Sequence, residues 1–433
     1  MAGAYSLSGY SRLVRTNRNF RRLWLAQIIS EMGDWLYIVV IYALLLEITG
    51  SAKAVAVAFV LQVLPQVFVA PTAGIVNDRA SRKRVIIAAD LVRAVIVLLM
   101  MFATRAHAVG LIYSLLVLET VMWAFFEPGR SSIVPNITSS EELITANTLS
   151  SMTWSMNLAV GSGLGGIIAA FIGRDAVFVL DSLSFLASAA LIYRMQFTER
   201  HLEGAKPLRA LDLVDFSPMA EGIRYVAGDA RLVALLFVKS GLGLLSPHWV
   251  LLPIYGERLM PVHGHGIDAA RGGMLAMSAL MAARGLGSLL GPYLGGSWAG
   301  QSHARLRTGI LICFLLAGFG YVMLAVAPSL WIASVAMMIV NAGGSLGWVF
   351  STTMLQQHTD DRFRGRVFSA DFAFLVSAMS LVSYAAGVFI DRGISARDVA
   401  LATGLIAILP AAAWIYGRRL WRAQPASERM GGG

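Results

Sequence analysis

Cysteine is almost missing from this chain of 433 residues, Cys313 being the only one. A lone thiol excludes a disulfide framework within the chain and any metal or redox centre built on cysteine. Charge is scarce too: Asp, Glu, Lys and Arg make up 14% of the residues, well under the roughly 25% of a soluble domain. Catalytic signatures are also wanting. No His-Glu-x-x-His is present, the chain is read as free of the Gly-x-Ser-x-Gly nucleophile elbow, and of the seven histidines only His263 and His265 lie close together. Without a Gly-x-x-x-x-Gly-Lys-Ser/Thr loop to cradle a triphosphate, a self-contained ATP-driven pump is excluded. The stretch "VGSGLGG" formally matches Gly-x-Gly-x-x-Gly through Gly161, Gly163 and Gly166, but a dinucleotide site needs a strand before it and an acid after it in a soluble unit. The expectation is a chain that is not an enzyme and holds no metal and no cofactor.

What the chain has in excess is apolar length. Hydrophobic residues are 57% of the total and mean hydropathy is +0.67, more apolar surface than a soluble core hides, so lipid is the solvent for most of it. Apolar runs of about 20 residues, enough to span a bilayer, fall at 22–48, 54–76, 85–104, 108–127, 146–172, 176–194, 232–256, 270–299, 307–327, 329–352, 367–390 and 398–417. The expected fold is an all-α polytopic membrane protein with twelve transmembrane helices. Spans 7 and 8 are interrupted by Pro247, Pro253 and Pro292, tolerable where neighbouring helices re-satisfy the backbone. The basic start (Arg12, Arg15, Arg18, Arg21, Arg22) leads into an apolar run too long for a signal-peptide core, so the first span reads as its own targeting signal. With the N-terminus inside, 25 of the Lys and Arg residues fall in inner segments and 7 in outer ones, which by the positive-inside rule places both termini in the cytoplasm. The net charge of +10 is scattered between spans and forms no continuous basic face, so lipid headgroups rather than nucleic acid are the expected partner.

The longest polar connection, around Thr198 to Asp229, divides the spans six and six. The chain thus reads as a basic N-terminus (1–21), a six-helix bundle (22–197), a cytoplasmic connection (198–230), a second six-helix bundle (231–417) and a tail (418–433). Within the connection, "SPMAEGIRYV" reads as a surface helix with Met219, Ile223 and Val226 on one side and Glu221 and Arg224 on the other. The halves echo weakly: "APTAGIVNDR" ends span 2 and "GPYLGGSWAG" ends span 8, while "FEPGRSSIVPN" follows span 4 and "LQQHTDDRFRGRVF" follows span 10. Such repetition is what two-bundle transporters show. Small pairs at Gly161/Gly165, Gly287/Gly291 and Gly343/Gly347 read as tight helix crossings.

One connection concentrates charge. "GIVNDRASRKRV", Gly74 to Val85, holds one acid and four bases between apolar spans. Its Gly-x-x-x-Asp-Arg-x-x-Arg-Lys signature, with twelve spans around it, resembles the major facilitator superfamily over nearly the whole chain. "GDWL", "PGRSSIVPNITSSEELITANTL", "LDSLSFLASAALI", "EGIRYVAGDARL" and "LQQHTDDRFRGRVFS" narrow the resemblance to the drug:proton antiporter type of branch that contains enterobactin-exporter-like and macrolide-efflux-like proteins. The resemblance implies the major facilitator fold, two bundles about a central cavity, with spans 1, 4, 7 and 10 lining it, 2, 5, 8 and 11 bordering it and 3, 6, 9 and 12 outside. It also implies a cytoplasmic gate of Gly74, Asp78, Arg79, Arg82 and Lys83, in which Asp78 faces the positive N-terminal end of span 11 and Gly74 permits a close backbone approach. The sequence departs from the pattern at Val76, often Leu, at Ser81, often Gly, and at Ser162, where antiporters commonly carry proline.

An ionisable group inside a span costs at least about 2.5–3.5 kcal/mol at the helix centre and so marks function or a partner. Glu31 and Asp34 are three residues apart and share a helix face, and Asp34 lies roughly 18 Å from the end near Arg22, close to mid-membrane. Glu119 falls in the middle of span 4, Lys239 in span 7 and Arg284 in span 8. The arrangement of lining helices makes these five the proton-coupling or substrate candidates, with Arg284 a counter-ion to one of the acids or an anchor for an anionic substrate. Asp90 and Arg93, on an outer span, read as a structural pair, and Asp181 and Asp371 fit either class. Trp35, Tyr37, Trp123, Phe126, Trp154, Met156 and Trp348 read as adaptable cavity walls or as lipid-facing anchors.

The function expected from these readings is secondary active export of small amphipathic organic compounds of drug, macrolide or siderophore class. It would run across the bacterial inner membrane by alternating access, in antiport with protons, with the proton gradient as energy source and a monomer as the working unit. A lysophospholipid or lipid mover of the same fold is the alternative. A non-transporting membrane sensor is the alternative of another class, though no soluble output domain accompanies the spans.

Overall fold

In a computed structural model, residues 7–203, 217–300, 302–360 and 363–421 are described. The core of the central connection (204–216), Asp361 and Arg362 of the "LQQHTDDRFRGRVF" stretch and the tail from 422 lie outside the described residues. Among the described residues twelve helices are long and apolar enough to cross a membrane, so the chain has the all-α, twelve-span architecture. After a short amphipathic helix α1 (Leu7–Thr16), spans 1 to 6 are α2 (Arg18–Thr49), α3 (Ala52–Arg79), α4 (Arg82–Arg105), α5 (Val109–Ile137), α6 (Ser140–Phe171) and α7 (Arg174–Tyr193). The connection contributes α8 (Ser217–Ala227); span 7 is broken into α9 (Ala230–Leu244) and α10 (His248–Ile254), followed by one wide turn, Tyr255–Leu259. Spans 8 to 11 are α11 (Ala269–Ala299), α12 (His303–Val326), α13 (Leu330–His358) and α14 (Arg364–Asp391), and span 12 is α15 (Ala396–Ile406) with α16 (Ile408–Gly417).

The helices begin where a short polar side chain accepts a bond from an orphan backbone N–H. Asn17, Ser51, Ser81, Ser139, Asp229, Ser302, Ser329 and Ser395 all cap in this way, and Ser139 forms a reciprocal capping box with Glu142. Ser81, a departure from the family pattern, therefore has a use: its Oγ caps α4 at Arg84 N and donates to Glu199 at 2.5 Å. Pro128 and Pro135 do not end span 4, as the sequence suggested; α5 runs through both to Ile137. "FEPGR" is helical and its side chains belong to the bundle, because a membrane helix can lose a backbone bond where neighbours pack around it.

The chain forms two compact units, Met1–Asp215 with Val250–Leu286, and Phe216–Trp249 with Gly287–Gly433. These differ from the bundles read from sequence, since Val250–Leu286, expected in the second, packs with the first. In the first unit α2 lies against α6 and α7, α4 against α5 and α7, and α3 against α5. Gly161 and Gly165 meet the α2 backbone at Met32 O and Leu36 O, 3.1 and 2.7 Å from where a Cβ would stand. In the second unit α12 packs on α13 and α15, and α14 on α9 and α8. Here Gly287 and Gly291 set α11 directly on the backbone of α13, and Gly343 and Gly347 set α13 on Cys313 of α12.

The break in span 7 shows how irregular backbone is accommodated away from water. Pro247 cannot continue the helix, and the carbonyl of Leu245 accepts from the buried Tyr321 hydroxyl of α12 at 2.6 Å. Ser246 Oγ donates to Met379 O on α14 and lies 3.2 Å from Ser383 Oγ. His248 Nδ1, 2.9 Å from the Tyr321 hydroxyl, completes the group. Tyr321→Phe removes the hydroxyl and leaves a buried carbonyl short of a donor. A loss of about 1–3 kcal/mol is expected, read as a lower melting temperature with faster amide exchange around residues 244–248.

α8 keeps Arg224 exposed but is tied down along its length. Val226 is buried, Glu221 pairs with Arg366 at 2.6 Å, Tyr225 stacks on Phe363 at 4.4 Å, and Gly222 sits against the Arg366 carbonyl. The "EGIRYV" stretch thus clamps the connection to the first turn of α14.

Candidate functional site

The α2 residues Gln27, Glu31, Asp34 and Tyr37 recur at three- and four-residue spacing, so one helix face carries all four. At the middle of this stripe a buried guanidinium ties three helices together. Arg93 of α4 places Nη2 2.6 Å from Asp34 Oδ1 and 2.8 Å from Glu119 Oε1 of α5, while its Nε donates to the same Glu119 oxygen at 2.9 Å. Asp90 stands 3.8 Å from Nη1 and accepts from Ser188 of α7 at 2.6 Å. The ring of Phe185 lies 4.1 Å from the guanidinium carbon, covering the charge with an aromatic face. Tyr37 donates to Glu119 Oε2 at 3.4 Å. Asp181 of α7 is fully buried beside Gly33, accepts from Ser184 at 3.3 Å, and leaves Oδ2 without a hydrogen-bond partner. Exposure is graded: Asp34 is 16% open, Glu119 8%, Arg93 1% and Asp90 0%. Asp34 is therefore the member through which this cluster meets whatever fills the space outside it.

A second network lies one turn along the stripe. Glu31 accepts from Gln27 at 2.9 Å and from Asn157 of α6 at 3.1 Å. Gln27 in turn accepts from Arg130 Nη1 at 3.0 Å, and Arg130 makes a two-point pair with Glu127 at 2.6 and 2.9 Å. The two networks together hold six carboxylates (Glu31, Asp34, Asp90, Glu119, Glu127, Asp181) and two guanidinium groups (Arg93, Arg130).

The five sequence candidates are thus placed unequally. Asp34 and Glu119 come together on one counter-ion, and Glu31 sits in the adjoining network. The counter-ion that Asp34 and Glu119 share is Arg93, and the Asp90–Arg93 pair is part of this centre rather than a separate outer feature. Arg284 is buried on α11 with Nη1 3.8 Å from Met281 Sδ. Lys239 belongs to the second unit, where it pairs with Asp371 at 3.3 Å and donates to Thr352 at 2.9 Å. Glu127 and Arg130 were missed because Pro128 between them read as a helix end; their three-residue spacing was the available signal. Of the aromatic candidates, Tyr37 and Phe126 are buried within the bundle, so they are not wall residues. Trp154, 41% exposed, stands edge-on to Trp35 at 5.7 Å.

The charged connection between α3 and α4 is fixed by more than topology. Arg82 donates from Nε to Asn77 O at 3.0 Å and from Nη1 to Ser132 O of α5 at 3.2 Å, and pairs with Asp78 at 3.3 Å. Lys83 Nζ donates to Met195 O at 2.6 Å, just past the end of α7. Asp78 itself is 75% exposed. Gly74 was expected to permit a close backbone approach, yet nothing lies within 4 Å of where its Cβ would be; the close approach in this stretch is made by Gly129, against Asn77 and Ile86. His263 and His265 are exposed in their loop. Gly343-Gly344-Ser345-Leu346-Gly347 does spell Gly-x-Ser-x-Gly, contrary to the sequence reading, but it is mid-helix and Ser345 Oγ donates to Asn341 O at 2.7 Å. A nucleophile elbow needs a strand-to-helix turn.

A family model described as transmembrane secretion effector matches residues 8–429. An uncharacterized MFS-type transporter of Bacillus subtilis, YkuC, is 28% identical over 55% of this chain and 56% of its own length. Macrolide efflux protein A of Streptococcus pyogenes is 23% identical over 86% of this chain and 89% of that protein. Among solved structures, a bacterial homologue of the human lysosomal transporter Spinster, inward-facing and unoccupied, superposes with a TM-score of 0.69 at 15% identity, covering 97% of this chain and all of that one.

Proposed function

The chain belongs to the transmembrane secretion effectors of the major facilitator superfamily, transporters rather than enzymes, and on that premise we propose that it exports amphipathic organic compounds across the bacterial inner membrane, in antiport with protons, by alternating access. Export is the direction carried by the macrolide efflux relative. The inner membrane with both termini in the cytoplasm is the orientation that the excess of inner Lys and Arg favours.

The observation that carries the coupling reading is the shared nitrogen of Arg93, held by Asp34 from α2 and by Glu119 from α5. Two guanidinium groups cannot balance six carboxylates of which Asp34, Asp90, Glu119 and Asp181 are largely or wholly buried, so the two networks are suited to take up protons or a cationic group. A proton on Asp34 withdraws one of the two anions that share Arg93 Nη2 and leaves Glu119, with the more distant Asp90, as its anchor, so proton occupancy changes how tightly α2 is tied to α4 and α5. A substrate that competes for Asp34 would couple its own movement to that of the proton. One elementary charge crossing the membrane is worth about 2.3 kcal/mol per 100 mV, enough for one coupled proton to support a useful gradient. The gate residues Gly74, Asp78, Arg79, Arg82 and Lys83 are assigned the cytoplasmic closure, with Asp78 exposed to solvent and paired with Arg82.

The test uses protein in liposomes with a pH-sensitive dye inside, an imposed proton gradient, and a panel of lipophilic cations, macrolides, catecholates and lysolipids. Substrate-dependent proton flux is expected in the wild type and a fall of about tenfold or more in Asp34→Asn, the loss of one acid-base partner. An Asp34→Asn protein that keeps the full flux response removes this residue from the mechanism. Substrate movement by wild type with no proton flux removes antiport.

A further inference from the structure

The second unit holds a charged site that the coupling reading does not use. Lys239, on α9, is 2% exposed. Its ammonium donates to Thr352 Oγ1 at 2.9 Å, lies 3.3 Å from Asp371 Oδ2 of α14, and sits 3.6 Å from the centroid of the Trp348 ring. Trp348 and Thr352 are one turn apart on α13 and so present to the same side. A buried ammonium has three protons to satisfy, and the hydroxyl, the carboxylate and the ring face provide for them. Asp371 Oδ1 is buried with no hydrogen-bond partner, so the site retains unused polar capacity.

The unusual member is Trp348. It is 44% exposed, yet one face of its ring is committed to a charge that is almost wholly out of solvent. An exposed tryptophan ordinarily turns about its side-chain bonds; this one cannot leave without stripping a partner from a buried cation. The ring is therefore fixed before any ligand arrives, which removes the ordering cost of a stacking contact. The ammonium stands nearer the ring than the Asp371 carboxylate that pairs with it, and it draws ring electron density toward itself, so the ring suits an electron-rich or anionic planar group better than a second cation.

We propose that Trp348, held flat by Lys239, is the platform on which the second unit stacks an electron-rich planar ring of the substrate. This deepens the export reading by naming a substrate class: amphipathic compounds bearing an aromatic ring with neutral or acidic substituents. Lys239 is a positioning residue that acts through the ring, and Asp371 and Thr352 hold Lys239 in turn.

The test is equilibrium binding without any gradient, so it reads separately from proton flux. Protein in nanodiscs of neutral lipid is titrated with radiolabelled 2-naphthoate, with cyclohexanecarboxylate and 2-naphthylmethylammonium as unlabelled competitors. Saturable naphthoate binding is expected, with both competitors weaker by about tenfold. Trp348→Leu should lose about tenfold in naphthoate affinity while Trp348→Phe stays within about threefold, a rescue that a purely structural role would not give. The double variant Lys239→Met with Asp371→Asn, which removes both charges together, should abolish the preference for the anionic over the cationic naphthalene. The proposal is overturned by absence of saturable binding below about 1 mM, by Trp348→Leu binding as well as wild type, by Phe failing as badly as Leu, or by an unchanged charge preference in the double variant. Binding that follows these expectations without substrate-dependent proton flux would sink the antiport reading and leave the platform standing.

Discussion

Replacing Arg93 with Met is expected to take about 3–5 kcal/mol from the stability of the first unit, because it leaves several buried carboxylates without their cation. Asp34, Glu119 and Asp90 all face this one guanidinium, and Phe185 and Phe126 pack over it, so no solvent is at hand to replace it. Arg93→Lys should recover only part of the loss, since a single ammonium cannot reproduce the fork that reaches two carboxylates at once. Adding Asp34→Asn and Glu119→Gln to Arg93→Met removes the stranded charges along with their partner. That triple variant should regain most of the melting temperature while remaining unable to couple substrate to proton flux. Thermal unfolding in detergent, followed by dye-loaded liposomes, checks both halves. A stable Arg93→Met protein would mean that the acids hold their own protons without help and that Arg93 is dispensable to the centre.

The second large effect is steric. Gly291→Val would put a branched side chain where α11 already touches the carbonyl of Ala342 and the side chain of Ser345 on α13. Backbone cannot rotate aside as a flexible side chain can, so the helices must part along the crossing. Overpacking of this kind costs about 1–3 kcal/mol or more, and in lipid the lost backbone contact is most of what held the pair together. Gly296→Ala is the matched control: nothing lies within 4 Å of its added methyl, and its effect should stay within about 0.5 kcal/mol. Melting curves of the two variants side by side separate crowding at the crossing from any general effect of losing a helical glycine.

The twelve spans were legible because each is a long apolar run, and the glycine crossings because small residues four apart have little other use in a membrane helix. The tie between Asp34 and Glu119 was not. Reading one helix at a time set Arg93 apart on span 3, whereas its long guanidinium reaches from that helix to acids on spans 1 and 4. Glu127 and Arg130 were hidden by the convention that proline ends a helix, which holds in water and fails among packed neighbours. The helix in the connection is amphipathic, as its spacing predicts, but periodicity alone does not reveal that Glu221 pairs with Arg366 of α14. Gly74 was assigned a close approach by resemblance, and the open space around it shows that a signature glycine need not be in contact in every arrangement of its family.

The sharing of spans 7 and 8 has a bearing on how this molecule can be divided. Each of these helices starts in one compact unit and finishes in the other, with changeovers at Trp249/Val250 and Leu286/Gly287. Cutting the chain in its long polar connection would part Val250–Leu286 from the rest of the compact unit to which it belongs. The halves of the sequence and the halves of the structure are different objects. Only the finished chain, which passes from one unit to the other three times, at 215/216, 249/250 and 286/287, supplies the second kind.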